Sequence, residues 1–273
     1  MKFALCNEMF GDWPFEKAFR FAKEVGYTGI EIAPFTLAPD AYQITPGQCS
    51  DTKALIEDLG LETVGVHWLL AKTEGYYLTS PEPAMQEKTG NYFAQLAKVC
   101  RDLGGDIMVL GSPQQRNLLP GVSHDQAMEY AAATLKIAEP AFRDHGVTVA
   151  LEPLGPGEGD FLNTAALGVE LMGLIDSPNV RLHLDVKAMS SEDKSVPEII
   201  RENADTVAHF HANDPNLLGP GMGDVDFDPI FAALKEIDYR GWVSVEVFDY
   251  SPGVEKICRD SMATMQASLA RAS

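Results

Sequence analysis

The fold is decided by Val147-Thr148-Val149-Ala150-Leu151-Glu152 and by the loop behind it, Pro153-Leu154-Gly155-Pro156-Gly157-Glu158-Gly159-Asp160. A short β-branched and aliphatic run without alternation reads as a strand covered on both faces, as in a parallel sheet. It closes on a carboxylate and enters a Pro/Gly loop that carries a second one. Three further stretches repeat this pattern. Val180-Arg181-Leu182-His183-Leu184-Asp185 and Trp242-Val243-Ser244-Val245-Glu246 end on acids, and Val207-Ala208-His209-Phe210-His211 ends on an imidazole. If these strands are parallel neighbours, Glu152, Asp185, His211 and Glu246 meet at one end of the sheet.

The same alternation extends outward in both directions. Phe3-Ala4-Leu5-Cys6 reads as the first strand, and Trp13-Pro14-Phe15-Glu16 opens a helix with Pro near its first turn. Phe15, Ala18, Phe19, Ala22 and Val25 give that helix one apolar face, and Gly26 stops it. Strands follow at Tyr27 to Ile32, Glu62 to His67 and Asp106 to Leu110, with helices at about Gln48 to Leu59, Glu87 to Leu103 and His124 to His145. The strand ending in Glu152 is thus the fifth. Helices near Thr164 to Ile175, Val196 to Asn203, Asp228 to Ile237 and Val254 to Leu269 separate and follow the last three strands. Eight strand-then-helix units, with crossovers long enough for parallel pairing, predict an α/β fold: a single-domain (β/α)8 TIM barrel over residues 1–273. No GxGxxG follows an early strand, so a dinucleotide-binding sheet lacks its phosphate signal.

Composition agrees and narrows the partners. The 273 residues are close to the roughly 250 of one such barrel. A formal net charge of -19 would repel a phosphate backbone, and no run of Lys or Arg forms a basic footprint, so no nucleic-acid partner is expected. Cys6, Cys49, Cys100 and Cys258 are widely spaced without a Cys-x-x-Cys pair, which reads as reduced, partly buried thiols. The chain enters its first strand without a charged leader, and no apolar run approaches the roughly 18 residues of a membrane span. A cytoplasmic location and no membrane partner are the expectations.

In a barrel of this kind the active site lies at the C-terminal strand ends. Taken singly, each acid has an ordinary explanation: Glu152 could cap the next helix, Asp185 could bridge to Lys187, and Glu246 could pair with a loop arginine. Four such groups on consecutive strands are different, because carboxylates converging in a pocket raise one another's pKa unless a cation neutralises them. Three carboxylates and one imidazole suit one divalent metal ion, with Mn the first choice and Mg, Co or Zn as alternatives.

The stretch from Glu152 to Glu158, Phe161-Leu162-Asn163-Thr164-Ala165-Ala166, His183-Leu184-Asp185, His209-Phe210-His211, Pro220-Gly221-Met222-Gly223 and Val245-Glu246-Val247-Phe248 resemble the xylose isomerase-like barrel superfamily. Within it the spacing is most similar to the D-tagatose 3-epimerase group of sugar isomerases and epimerases, and Gly29-Ile30-Glu31 and His67-Trp68 resemble its early strands. That resemblance implies that Glu152, Asp185, His211 and Glu246 ligate the ion. It further implies that Glu152 and Glu246 act as acid and base on opposite faces of a keto sugar, through an enediolate. Glu158 matches a position that holds a substrate hydroxyl. Two positions depart from the group: Ala188 stands where a histidine is usual and Leu217 where an arginine is usual. Both missing groups contact substrate there, which opens the choice of substrate while leaving the ligand set intact.

Other groups are candidates to compensate. Lys187 lies two residues past Asp185, in the inward phase if the strand persists. Arg116 sits in the loop after strand four, and His67 ends strand three; each is a candidate substrate contact, with an ion pair or a hydrogen bond at the barrel top as the plain alternative. Trp13, Phe35, Trp68, Phe248 and Tyr76 follow strands, so they could line an apolar wall for a sugar face or simply pack in the core. His183 and His209 read as supporting or packing residues. The expected activity is isomerisation or epimerisation of a small carbohydrate or keto-polyol. The rival outcome is elimination from a keto sugar or 3-keto glycoside at the same site, and a remoter one is a noncatalytic sugar-binding subunit. A homo-oligomer, dimer or tetramer, is expected by analogy.

Overall fold

A computed structural model describes residues 1–272. The order is β1 (Lys2–Cys6), α1 (Phe15–Val25), β2 (Gly29–Ile32), α2 (Pro46–Asp58), β3 (Glu62–Val66), α3 (Pro83–Asp102), β4 (Ile107–Leu110) and α4 (His124–His145). It continues with β5 (Thr148–Leu151), α5 (Ala165–Ile175), β6 (Val180–Asp185), α6 (Val186–Met189), α7 (Val196–Glu202), β7 (Val207–Ala212), α8 (Phe227–Glu236), β8 (Trp242–Val245) and α9 (Val254–Arg271). All eight strands pair in parallel with their sequence neighbours, and β1 pairs with β8 to close the barrel.

Local chemistry sets the helix limits. Gly26 adopts a left-handed conformation that ends α1, and Ser123 with Gln126 forms a capping box that starts α4, so the expected His124 to His145 span is the observed one. Helix α3 starts four residues before the expected Glu87, because Pro83 supplies a favourable first helical residue. The short α6 departs from the expected pattern: Asp185 accepts from the Ala188 backbone N–H at 2.8 Å and turns the chain into a helix directly after β6. Lys187 therefore reaches the barrel mouth from a helical turn. The strand does not persist through it, so the inward-phase argument for Lys187 does not hold.

The barrel is filled in two chemically different layers. At its lower end Ala4, Val64 and Trp242 pack together with Ile107. A methyl built on Gly29 would lie 2.5 Å from the Trp242 ring, so the glycine is what lets the indole lie across the floor. Above this plug the interior is polar, with Glu31, His67, His183, His209, His211 and Ser244 all fully buried. Two register shifts fall where this layer begins, between Ile30 and Glu31 on β2 and between Leu182 and His183 on β6. Each extra residue on the facing strand re-aims the side chains beyond it. The main apolar core lies outside the barrel, between strands and helices, and includes Phe19, Tyr92, Phe93, Phe142, Phe210 and Phe231. Among the described residues no helix is long and apolar enough to cross a membrane.

Candidate metal centre and active-site cavity

Glu152, Asp185, His211 and Glu246 all lie at the C-terminal end of the barrel. Ligand atoms of Glu152, Asp185, His211 and also His183 lie within 4.8 Å of one another. Glu246 joins through His211, its Oε2 standing 3.1 Å from His211 Nδ1. All four side chains are buried. The backbone makes room for them: a methyl built on Gly111, at the end of β4, would sit 1.5 Å from Glu152 Oε2. The Glu152 carboxylate occupies a cradle that any larger residue would fill.

Electrostatics show what this gathering requires. Burial, reinforced by Glu246 and Asp185, pushes the Glu152 carboxyl well above the usual range. Burial also raises Asp185, against the pull of Lys187. Glu246 goes the other way: burial raises it, but the His211 charge and the Trp68 indole N–H, which donates to Oε1 at 2.5 Å, bring it below its ordinary value. Three buried carboxylates beside one imidazole are thus mutually unfavourable without a counter-charge. A divalent ion would supply one, and the carboxylates and His211, with His183 also standing within reach, fit such an ion.

Neighbours fix the donors in place. Asn213 Nδ2 donates to Asp185 Oδ2 at 2.6 Å. Fully buried Glu31 stands 3.2 Å from His211 Nε2 and 2.8 Å from His209 Nε2. Burial alone would raise Glu31; the two imidazoles outweigh it and hold the carboxyl well below its usual range. With Nε2 of His211 committed to Glu31, Nδ1 is the nitrogen presented toward Glu246 and the quartet.

A cavity of about 340 Å³ opens beside Glu152 and Glu246, lined also by Glu158, Trp68, Leu154, Phe248, Lys72 and the 111–115 segment. Trp68 stacks on Phe248 with ring centres 6.0 Å apart and meets Phe35 at 5.9 Å. Its backbone is left-handed, with φ of 52°, a strained conformation for a bulky residue that the indole contacts hold in place. Lys187 Nζ lies 2.5 Å from Glu158 Oε2 and 4.7 Å from the centre of the Phe248 ring.

The remaining sequence candidates lie elsewhere. Arg116 is buried beneath the cavity wall, where Nη1 donates to the backbone oxygens of Glu152 at 2.7 Å and Leu110 at 3.3 Å and so ties the ends of β4 and β5 together. Burial lowers its guanidinium to about 10 despite nearby Glu152 and Glu158. His67 is fully buried, with Nε2 2.8 Å from Glu8 Oε2, and does not line the cavity. Trp13 packs on Phe10 and Phe21, and Tyr76 stacks on Tyr92, both away from the cavity. Sequence reasoning passes over Glu31, Glu8 and Asn213 as parts of the site. For Glu31 the available signal is a charged residue inside the apolar strand Gly29-Ile30-Glu31-Ile32.

A closed parallel barrel with acids at its strand ends, two of them lining one cavity, together with the family and relatives it matches, defines the class as a metal-dependent barrel enzyme. The model of the xylose isomerase-like TIM barrel family matches residues 19–268, and the chain belongs to that family. It is 30% identical over 242 residues to the L-ribulose 3-epimerase of Methylomonas sp. (strain DH-1), covering 87% of this chain and 81% of that protein. Over 275 residues it is 23% identical to the 3-dehydro-D-guloside 4-epimerase of Escherichia coli (strain K12), covering 97% of this chain and 99% of that protein. A crystal structure of D-psicose 3-epimerase in the presence of D-fructose superposes with a TM-score of 0.87 at 20% identity, covering 98% of this chain and 99% of the other. Within the family the chain is thus closely related to the ketose 3-epimerases.

Proposed function

We propose that this chain is an epimerase or isomerase of a keto sugar that moves a proton beside the carbonyl, with Glu152 and Glu246 as the acid and base. The observation that carries this reading is that both carboxylates, borne by strands β5 and β8, line the same cavity under the Trp68 and Phe248 rings. A divalent ion held by Glu152, Asp185, His211 and Glu246, with Mn preferred, would polarise the carbonyl and acidify the neighbouring C–H.

The protein's own groups divide the remaining work. Glu246, fixed by Trp68 and His211, is held ionised and aimed, as a base must be. Glu152, braced by the narrow wall at Gly111, returns the proton from the other side of the sugar. Trp68 and Phe248 offer apolar faces to the C–H surface of a sugar ring and keep water from the carbanionic intermediate. Glu158 and Lys187, paired at the rim, contact substrate hydroxyls in the space that Ala188 and Leu217 leave without a histidine or arginine. The Arg116 guanidinium and His67 support this wall from behind. The active form is a dimer or tetramer.

The test is solvent deuterium incorporation into a panel of free keto sugars and 3-keto glycosides with Mn present. Wild-type protein places label on the carbon beside the carbonyl, and Glu246→Gln lowers that rate by about 100-fold or more. Product analysis then separates an epimer or isomer from an eliminated product. Label in none of the sugars with any of Mn, Mg, Co or Zn, or unchanged exchange in Glu246→Gln, refutes the proposal.

A further inference from the structure

The quartet lies on the β5 to β7 side of Glu246, and a different set of donors lies on its β1 side. Cys6 ends β1, Glu8 follows in a short 3-10 turn (Asn7–Phe10), and His67 follows β3. With Glu246 these residues offer four ligand atoms within 4.8 Å of one another. Cys6 and His67 are fully buried, and the Glu8 side chain is only 5% exposed.

Their hydrogen bonding is incomplete. Glu8 Oε2 meets His67 Nε2, yet Glu8 Oε1 has no hydrogen-bond partner among the described residues; His67 Nδ1 faces Glu31 Oε1 at 3.8 Å, outside the cluster. Cys6 Sγ stands 3.9 Å from His211 Nε2, at the long limit for a sulfur hydrogen bond. Interior polar atoms are nearly always satisfied, so a buried, orphaned carboxylate oxygen within a cluster of metal-ligand side chains marks the place of a ligand. The chemistry of the set also differs from the quartet's. A thiol, an imidazole and two carboxylates form a four-coordinate donor set that favours a softer ion, zinc before manganese or magnesium.

We propose that Cys6, Glu8, His67 and Glu246 form a second divalent-cation site, selective for zinc-like ions, with Glu246 shared between it and the quartet. Coordination takes Cys6 as its thiolate, and the thiol proton leaves to solvent. The proposal stands on donor geometry and uses no step of the sugar chemistry, although it shares Glu246 with the proposed active site. Its consequence for the barrel is that two ions together would tie strands β1 and β3 to β5 through β8 across the mouth.

Cobalt(II) is the probe, because a thiolate ligand gives it an intense near-ultraviolet charge-transfer band that oxygen and nitrogen ligands do not. Metal-free protein is titrated with Co²⁺ while absorbance and bound metal are followed together. Wild-type protein is expected to bind two equivalents and to develop the thiolate band. Cys6→Ser binds one equivalent without the band, and Glu8→Gln keeps the band but needs at least about tenfold more cobalt to form it. Asp185→Asn weakens only the equivalent that gives no band, which separates this site from the quartet. Absence of the band in the wild type, its persistence in Cys6→Ser, or an unchanged midpoint in Glu8→Gln overturns the assignment.

Discussion

Replacing Gly111 by alanine tests whether the placement of Glu152 governs the site. Gly111 is not left-handed, so the added methyl meets no backbone penalty and the effect is steric. The new carbon would lie 1.5 Å from Glu152 Oε2 and 2.6 Å from its Cδ, where real contacts stop at about 3 Å. The carboxylate must therefore retreat by about 1.5 Å, in a pocket that leaves it only 4% exposed. A displacement of about 1 Å in a reacting group lowers turnover by about 100-fold, or about 2.7 kcal/mol in the barrier. Because Glu152 is also a proposed ligand, affinity for the ion should fall at least tenfold in parallel. The assays are isothermal titration with Mn²⁺, solvent deuterium exchange, and a thermal melt to show that the variant is folded. A folded Gly111→Ala protein with wild-type metal affinity and exchange would refute the reasoning, since it would mean that Glu152 need not stand where the glycine allows it.

Other perturbations reach different parts of the site. Removing the metal by chelation, compared with Mn²⁺ at about 100 times its dissociation constant, should lower stability by about 2.7 kcal/mol and the melting temperature by about 5–10 °C in a scanning melt. Lys187→Met leaves Glu158 without its 2.5 Å partner and should raise KM about tenfold while changing kcat much less, as steady-state kinetics will show. The Glu31 carboxyl is held below its ordinary value of 4.5, so its contribution to stability is complete above that pH and is lost as pH falls toward the folded-state value. In melts of metal-free protein, Glu31→Gln should therefore be less stable than wild type near neutrality, with the difference shrinking below about pH 4.5; a constant difference would disprove the ionised pairing.

The gathering of Glu152, Asp185, His211 and Glu246 at one end of the barrel was legible because each stands at or near a strand end, and parallel strands with short loops bring equivalent ends together. The barrel was legible for a related reason, since the apolar runs and helical faces recur eight times with the right spacing. Glu31 escaped because one acid within an apolar strand carries no mark of its partners, which lie on β7, nearly two hundred residues away in the chain. Lys187 was placed by strand phase, and the Asp185 cap that starts α6 changes that phase at the very next residue. Arg116 was a candidate substrate contact with an ion pair as the alternative, and it turns inward to donate to the carbonyls of Leu110 and Glu152. The Trp68 bond to Glu246 depends on a left-handed backbone that no propensity would assign to tryptophan.

The Trp242 floor, with Ala4, Val64 and Ile107 around it, has a further consequence. Since the lower end is stoppered by apolar groups, the imidazoles and carboxylates above it can trade protons with bulk water only through the upper opening. A sugar seated under Trp68 would then cork the vessel from its other end. While it stays, the isotope the interior holds is what the sugar receives, so label transferred within one turnover should depend on what was loaded before the sugar arrived.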